Sequence, residues 1–146
     1  MKLEIIDNSN TLYTFNRSAF LTLASSIEKH EKYEFSYINI IFSKDENMRL
    51  LKQKYFNLDY YTDVITFNLE EPNDAIEGEI YIGINQVYQN SIKFNCNLNN
   101  ELTRIFIHGL LHLVGYDDTT KADKKKMTNL EDKYIALNND IVLINT

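Results

Sequence analysis

The sequence predicts an α+β domain: a mixed β-sheet of about four strands packed with about five helices. Short runs of aromatic and β-branched residues stand between longer stretches whose apolar positions recur at helical spacing. Capping residues precede most of those helical stretches. One stretch, beginning near Asn99, is apolar round most of its circumference, which suits a helix buried on several sides.

Lys2 to Ile6 and Thr11 to Phe15 read as short strands around the turn-forming Asp7-Asn8-Ser9-Asn10. Ser18 is placed to cap a helix running to about Lys29, with Phe20, Leu21, Leu23, Ala24 and Ile27 as its buried stripe. His30 closes that helix as a solvent-facing or dipole-compensating residue rather than a ligand. Tyr33 to Phe42 reads as a central strand, and Ser43-Lys44-Asp45-Glu46 as a capping box opening a helix to about Tyr55. Asp63 to Phe67 is the next strand, and Asn68 to Glu77 an acidic loop. Gly78 to Ile84 is a further strand, after which Asn85 caps a helix from Gln86 to about Phe94. Asn99 or Asn100 caps the buried helix, whose apolar positions include Leu102, Ile105, Phe106, Leu110 and Leu111. Thr120 and Asp123 form a capping pair for a last helix to about Leu137, with Met127, Leu130, Tyr134 and Ile135 inward.

The 146 residues contain no repeat, no linker and one proline, Pro72, so residues 1–146 read as one domain. No apolar run reaches membrane-spanning length and the N-terminus lacks the pattern of a signal peptide, which predicts a cytoplasmic protein with no membrane partner. Cys96 is the single cysteine and fits a reducing compartment as a half-buried residue. With 21 acidic and 15 basic residues, the net charge of −6 argues against a large nonspecific nucleic-acid surface. Two local basic clusters remain: Lys121, Lys124, Lys125 and Lys126, and Arg49, Lys52 and Lys54 beside Tyr55, Phe56, Tyr60 and Tyr61.

The chemistry concentrates in His108-Gly-Leu-Leu-His112-Leu-Val-Gly115-Tyr-Asp117-Asp118. Residues four apart on a helix lie one above the other, roughly 6 Å along the axis, so both imidazoles project from one face. Gly115 stands where the helix would end, and the turn beyond it can return Asp118, or alternatively Asp117, to the same point. Two imidazoles and a carboxylate leave a fourth position open, the arrangement of catalytic rather than structural zinc, with one Zn2+ per chain. Two helical histidines, then glycine, then a third ligand follow the spacing of long zinc-protease signatures, which makes this helix zincin-like. The glutamate base of those proteases is absent, because its position is Gly109, so a peptidase or related metallohydrolase is the weaker enzyme reading.

The run from His108 to Asp117 resembles the signature of the YbeY family, whose motif is His-Gly-x-Leu-His-Leu-x-Gly-Tyr-Asp-His. Thr62-Asp63-Val64-Ile65-Thr66-Phe67 and Gly78-Glu79-Ile80-Tyr81-Ile82 are similar to two further family blocks, in the same order. The resemblance implies a metal-dependent, single-strand-specific endoribonuclease of small-subunit ribosomal RNA 3′-end maturation and ribosome quality control. Its expected partners are single-stranded ribosomal RNA and the small ribosomal subunit or a protein associated with it. It also implies that His108, His112 and Asp118 hold the metal, that His108 matters most for activity, and that Asp63 and Glu79 orient a histidine or cap a turn ahead of acting in proton transfer. Three departures stand out. The family's third metal histidine falls on Asp118, the proline before Thr62 is Tyr61, and an arginine six positions before that threonine falls on Phe56. Arg49, Lys52, Lys54 and Arg104 are the alternative sources of positive charge, and the sequence does not choose among them. Tyr55, Phe56, Tyr60 and Tyr61 are candidate stacking surfaces for unpaired bases. The repulsive overall field predicts weak binding of naked RNA and reliance on a partner that presents it. If the altered ligand and lost arginine abolish cleavage, a noncatalytic ribosome-associated factor is the remaining reading.

Overall fold

The computed structural model describes residues 1–69 and 75–145. The elements run β1 (Lys2–Asp7), β2 (Thr14–Phe15), α1 (Arg17–Glu31), β3 (Phe35–Ser43), α2 (Asp45–Phe56), β4 (Val64–Asn68), β5 (Ile76–Gly83), α3 (Ile84–Lys93), α4 (Leu98–Leu113), α5 (Lys121–Leu137) and β6 (Ile144–Asn145). The fold is α+β, with a four-stranded mixed sheet in the order β1-β3-β5-β4. β1, β3 and β5 are parallel, and β4 joins β5 antiparallel at the edge.

Alternation along β5 fixes which helix each residue meets. Gly78 and Ile80 face α4: a Cβ added at Gly78 would lie 2.6 Å from Leu113 Cδ1, and one added at Gly109 would lie 3.1 Å from Ile80 Cγ2. The missing side chains let α4 lie close on the sheet. Glu79 and Tyr81 point the other way, into a hollow shared with Leu51 and Tyr55 of α2. The core between sheet and helices is apolar, with Phe20 of α1 edge-on to Phe106 of α4 at 4.9 Å. Ten residues of α4 are buried, which is why its sequence is apolar almost all round.

Several local expectations change in three dimensions. The two N-terminal strands do not pair with each other, since β1 lies parallel to β3 while β2 pairs antiparallel with the C-terminal β6. The Asp7 turn closes on itself, its carboxylate accepting from Ser9 N at 3.0 Å and Ser9 Oγ at 2.5 Å. Asn16, not Ser18, caps α1, accepting from Ala19 N at 3.4 Å. The Ser43 capping box does not form, because Ser43 remains in β3 opposite Gly83 and Lys44 takes the cap position without a side-chain bond. Gly83 precedes α3, and Asn85 instead donates to Asp45 Oδ2 at 2.6 Å. Asn97 caps α4, because Asn99 is engaged with the C-terminal segment, donating to Ile141 O at 2.9 Å and accepting from Leu143 N at 2.7 Å. Thr120 caps α5 through Asp123 N at 3.0 Å. The acidic loop shortens, since β4 reaches Asn68 and β5 begins at Ile76, and its residues 70–74, Pro72 included, lie outside the described residues. Among the described residues, no helix is long and apolar enough to cross a membrane.

Candidate metal centre

The site is built at the C-terminal end of α4, where the helix leaves a partial negative charge that favours a cation. Leu111 O accepts from Tyr116 N and His112 O from Gly115 N, both at 3.0 Å, the paired bonds of a Schellman motif. Gly115 adopts φ +105°, a conformation that a side chain disfavours, although nothing stands within 4 Å to obstruct one. This sharp exit brings two groups back to the histidines. Tyr116 O lies 2.9 Å from His112 Nδ1, and Asp118 Oδ2 lies 3.2 Å from His108 Nε2 and 3.4 Å from His112 Nε2. The two Nε2 atoms are 2.9 Å apart. Asp117 is exposed and its Oδ1 accepts from Asp118 N at 3.1 Å, so it closes the turn and stays out of the group.

Hydrogen-bond bookkeeping shows what this group fits. His108 Nδ1 lies 2.7 Å from Glu131 Oε2, and His112 Nδ1 faces a carbonyl, so each Nδ1 is the donating nitrogen. In the neutral rings both Nε2 atoms then carry lone pairs, aimed with a carboxylate oxygen at one point. Such a set suits a divalent cation, whose ligand atoms stand about 3.3 Å apart when its bonds are ~2.0 Å in tetrahedral geometry. His108, His112 and Asp118 thus form a group that could hold a metal ion.

Behind the group, Glu131 is buried and its second oxygen accepts from Arg104 at 3.0 Å, while Arg104 also reaches Asp132 at 2.8 Å. Burial pushes the His108 pKa down, but the Glu131 hydrogen bond and charge, with Asp118 and Asp63, hold it above the ordinary value. Glu131 was not anticipated from the sequence. Its signal is a carboxylate on the buried stripe of α5, four residues after Met127 and three before Tyr134.

In front lies a cleft of about 340 Å³, lined by both histidines, Asp118, Asp63, the edge of β4, and Lys52 and Phe56 of α2. Asp63 Oδ2 accepts from Asn90 at 3.0 Å, and burial raises its carboxyl above the usual range. Glu79 is not brought to this cleft, since it lies on the α2 side of the sheet. His30 is exposed and bonded to Ser26 O, and burial, with the charge of Glu101, pushes the Cys96 thiol up against the opposing charge of Arg104, the opposite of an activated thiol. Glu101, seven residues before His108 on α4, is 4% exposed and pushed up to about 7, by burial first and then by Asp63.

An α+β domain with a two-histidine, one-carboxylate group in an open cleft defines a candidate metal-centred hydrolase. Residues 4–139 match the family model described as Endoribonuclease YbeY. Proteins named Endoribonuclease YbeY from Cytophaga hutchinsonii and Flavobacterium johnsoniae are similar. The first is 39% identical over 83% of this chain and 85% of that protein, the second 35% identical over 84% and 87%. A solution structure of a Thermotoga maritima protein superposes with a TM-score of 0.60 at 25% identity, covering 92% of this chain and 90% of the other. The chain belongs to the YbeY endoribonuclease family.

Proposed function

We propose that this chain is a zinc-dependent endoribonuclease of single-stranded RNA, acting on the 3′ end of small-subunit ribosomal RNA and in ribosome quality control in the cytoplasm. The observation that carries this reading is the convergence of His108, His112 and Asp118 on one point, open to a cleft of about 340 Å³. A zinc ion held there would supply a Lewis acid beside the scissile phosphodiester. The chain's own residues do the rest. Glu131 and Tyr116 O fix the tautomers and orientation of the two rings, so the ligand nitrogens are set before substrate arrives. Asp63, held by Asn90 beside the group, is placed to accept a proton in the cleft. Glu79 takes no part, and Asp117 shapes the turn.

A peptidase reading is disfavoured on sterics. Position 109, where a zinc protease carries its base, is a glycine, and even a Cβ there would stand 3.1 Å from Ile80 and 3.2 Å from Thr66, so a carboxylate would have to push these sheet side chains aside. The test incubates zinc-loaded protein with an unstructured oligoribonucleotide, and separately with casein, beside a His108→Ala variant. Cleavage of the RNA alone, lost in His108→Ala, is the expected result. Casein cleavage would favour the peptidase, and cleavage of neither substrate a noncatalytic ribosome-associated factor.

A further inference from the structure

We infer that Lys52 is the side chain that grips a backbone phosphate of single-stranded RNA in the cleft, a role that rests on reading the chain as an RNA-cleaving enzyme. Four cations come into question, and their surroundings separate them. Arg49 is held by Glu46 and Asp59, with its guanidinium nitrogens 2.5 Å from each carboxylate. Arg104 is held by Glu131 at 3.0 Å and Asp132 at 2.8 Å. A guanidinium shared between two carboxylates is neutralised and has its donors engaged, leaving little attraction for a further anion. Lys54 lies over the Tyr55 ring at 5.1 Å and lines a different hollow, with Asn8, Ile41 and Tyr81 on the other face of the sheet.

Lys52 differs on each count. It lines the same cleft as His108, His112 and Asp118, and it is the one lysine or arginine among the described residues that does so. No carboxylate pairs with it among the described residues; its ammonium lies instead 4.7 Å from the centre of the Phe56 ring and 5.4 Å from that of Tyr60. Rings flanking an ammonium restrict where it can go while leaving its charge available, which is what an anion-binding lysine requires. The cleft otherwise presents the carboxylates of Asp63 and Asp118, in a chain of net charge −6, so an approaching phosphodiester needs a fixed positive group on its path. Phe56 and Tyr60 are 44% and 48% exposed, so the same rings offer faces on which the adjoining bases can stack.

The experiment is a fluorescence-anisotropy titration of a single-stranded oligoribonucleotide across a salt series, with zinc-supplied wild type, Lys52→Ala, Lys52→Arg and Lys54→Ala. Metal content and melting temperature are measured on each protein. Lys52→Ala is expected to weaken binding about tenfold, as the loss of one charged hydrogen bond does. Its plot of log affinity against log salt should be shallower than wild type by about 0.7. Lys52→Arg should retain both properties, Lys54→Ala should keep the wild-type slope, and metal content should match throughout. In cleavage assays the Lys52→Ala loss should fall on KM more than on kcat. Wild-type affinity and slope in Lys52→Ala, with RNA still cleaved, would overturn the assignment of Lys52 alone. A wild-type protein that neither binds nor cleaves RNA would overturn both this assignment and the enzymatic reading beneath it.

Discussion

Glu131 is a buried carboxylate with its two oxygens divided between Arg104 and His108. That division orients the His108 ring and strengthens it as a ligand, since a carboxylate on Nδ1 raises the electron density at Nε2. Glu131→Gln keeps the shape and removes the charge, so it should weaken zinc affinity by about 10–100-fold in a chelator competition while the fold persists. The two adjacent aspartates provide a sharper contrast. Asp118→Ala should abolish tight zinc binding in the same assay. Asp117→Ala removes only the acceptor for Asp118 N and should leave affinity within a few-fold, about 1 kcal/mol or less. Equal losses from both would mean that the aspartate beyond Gly115 has been assigned wrongly.

The exit of α4 is the element that makes the centre possible. Gly115 holds φ +105° with open space around it, so Gly115→Ala meets backbone strain and no clash. The substitution should cost about 1–3 kcal/mol in thermal or denaturant unfolding and should also weaken zinc binding, because the turn that returns Asp118 is displaced. This element was readable from sequence because its signals are local: two histidines one turn apart, glycine at the exit and aspartate three residues on. Helix starts were less readable where several asparagines compete. Asn97, Asn99 and Asn100 can all cap, and the choice of Asn97 depends on Asn99 being drawn to Ile141 and Leu143, more than forty residues away. The two-residue β6 is too short to carry a pattern, so the pairing of β2 with the C-terminus could not be foreseen. For the same reason Glu131, Asn90 and the separation of Lys52 from Arg49, Lys54 and Arg104 emerge only when the helices are packed.

Across the whole molecule, acidity is managed by burial as well as by pairing. Burial first, then the charges of Asp63 and Glu131, push the Glu101 carboxyl up to about 7 in the folded chain from an ordinary 4.5, with Arg104 opposing. Between those values the folded chain keeps a proton that the unfolded chain has released, so stability falls as pH rises through the window. Denaturant titrations of chelated protein at pH 5 and pH 8 should show this loss, and Glu101→Gln should reduce it; an unchanged pH dependence would contradict the burial of that group. On the proposed reading, the net charge of −6 repels RNA over most of the surface, and Lys52, with a cation held by the histidine and aspartate group, would offset that repulsion at the cleft. The centre itself is tested most directly by elemental analysis combined with zinc titration of the purified chain and of a His108→Ala, His112→Ala, Asp118→Ala triple variant. The account predicts one zinc per wild-type chain and none bound tightly by a folded triple variant. Equal zinc binding by both proteins, or none by either, would contradict it.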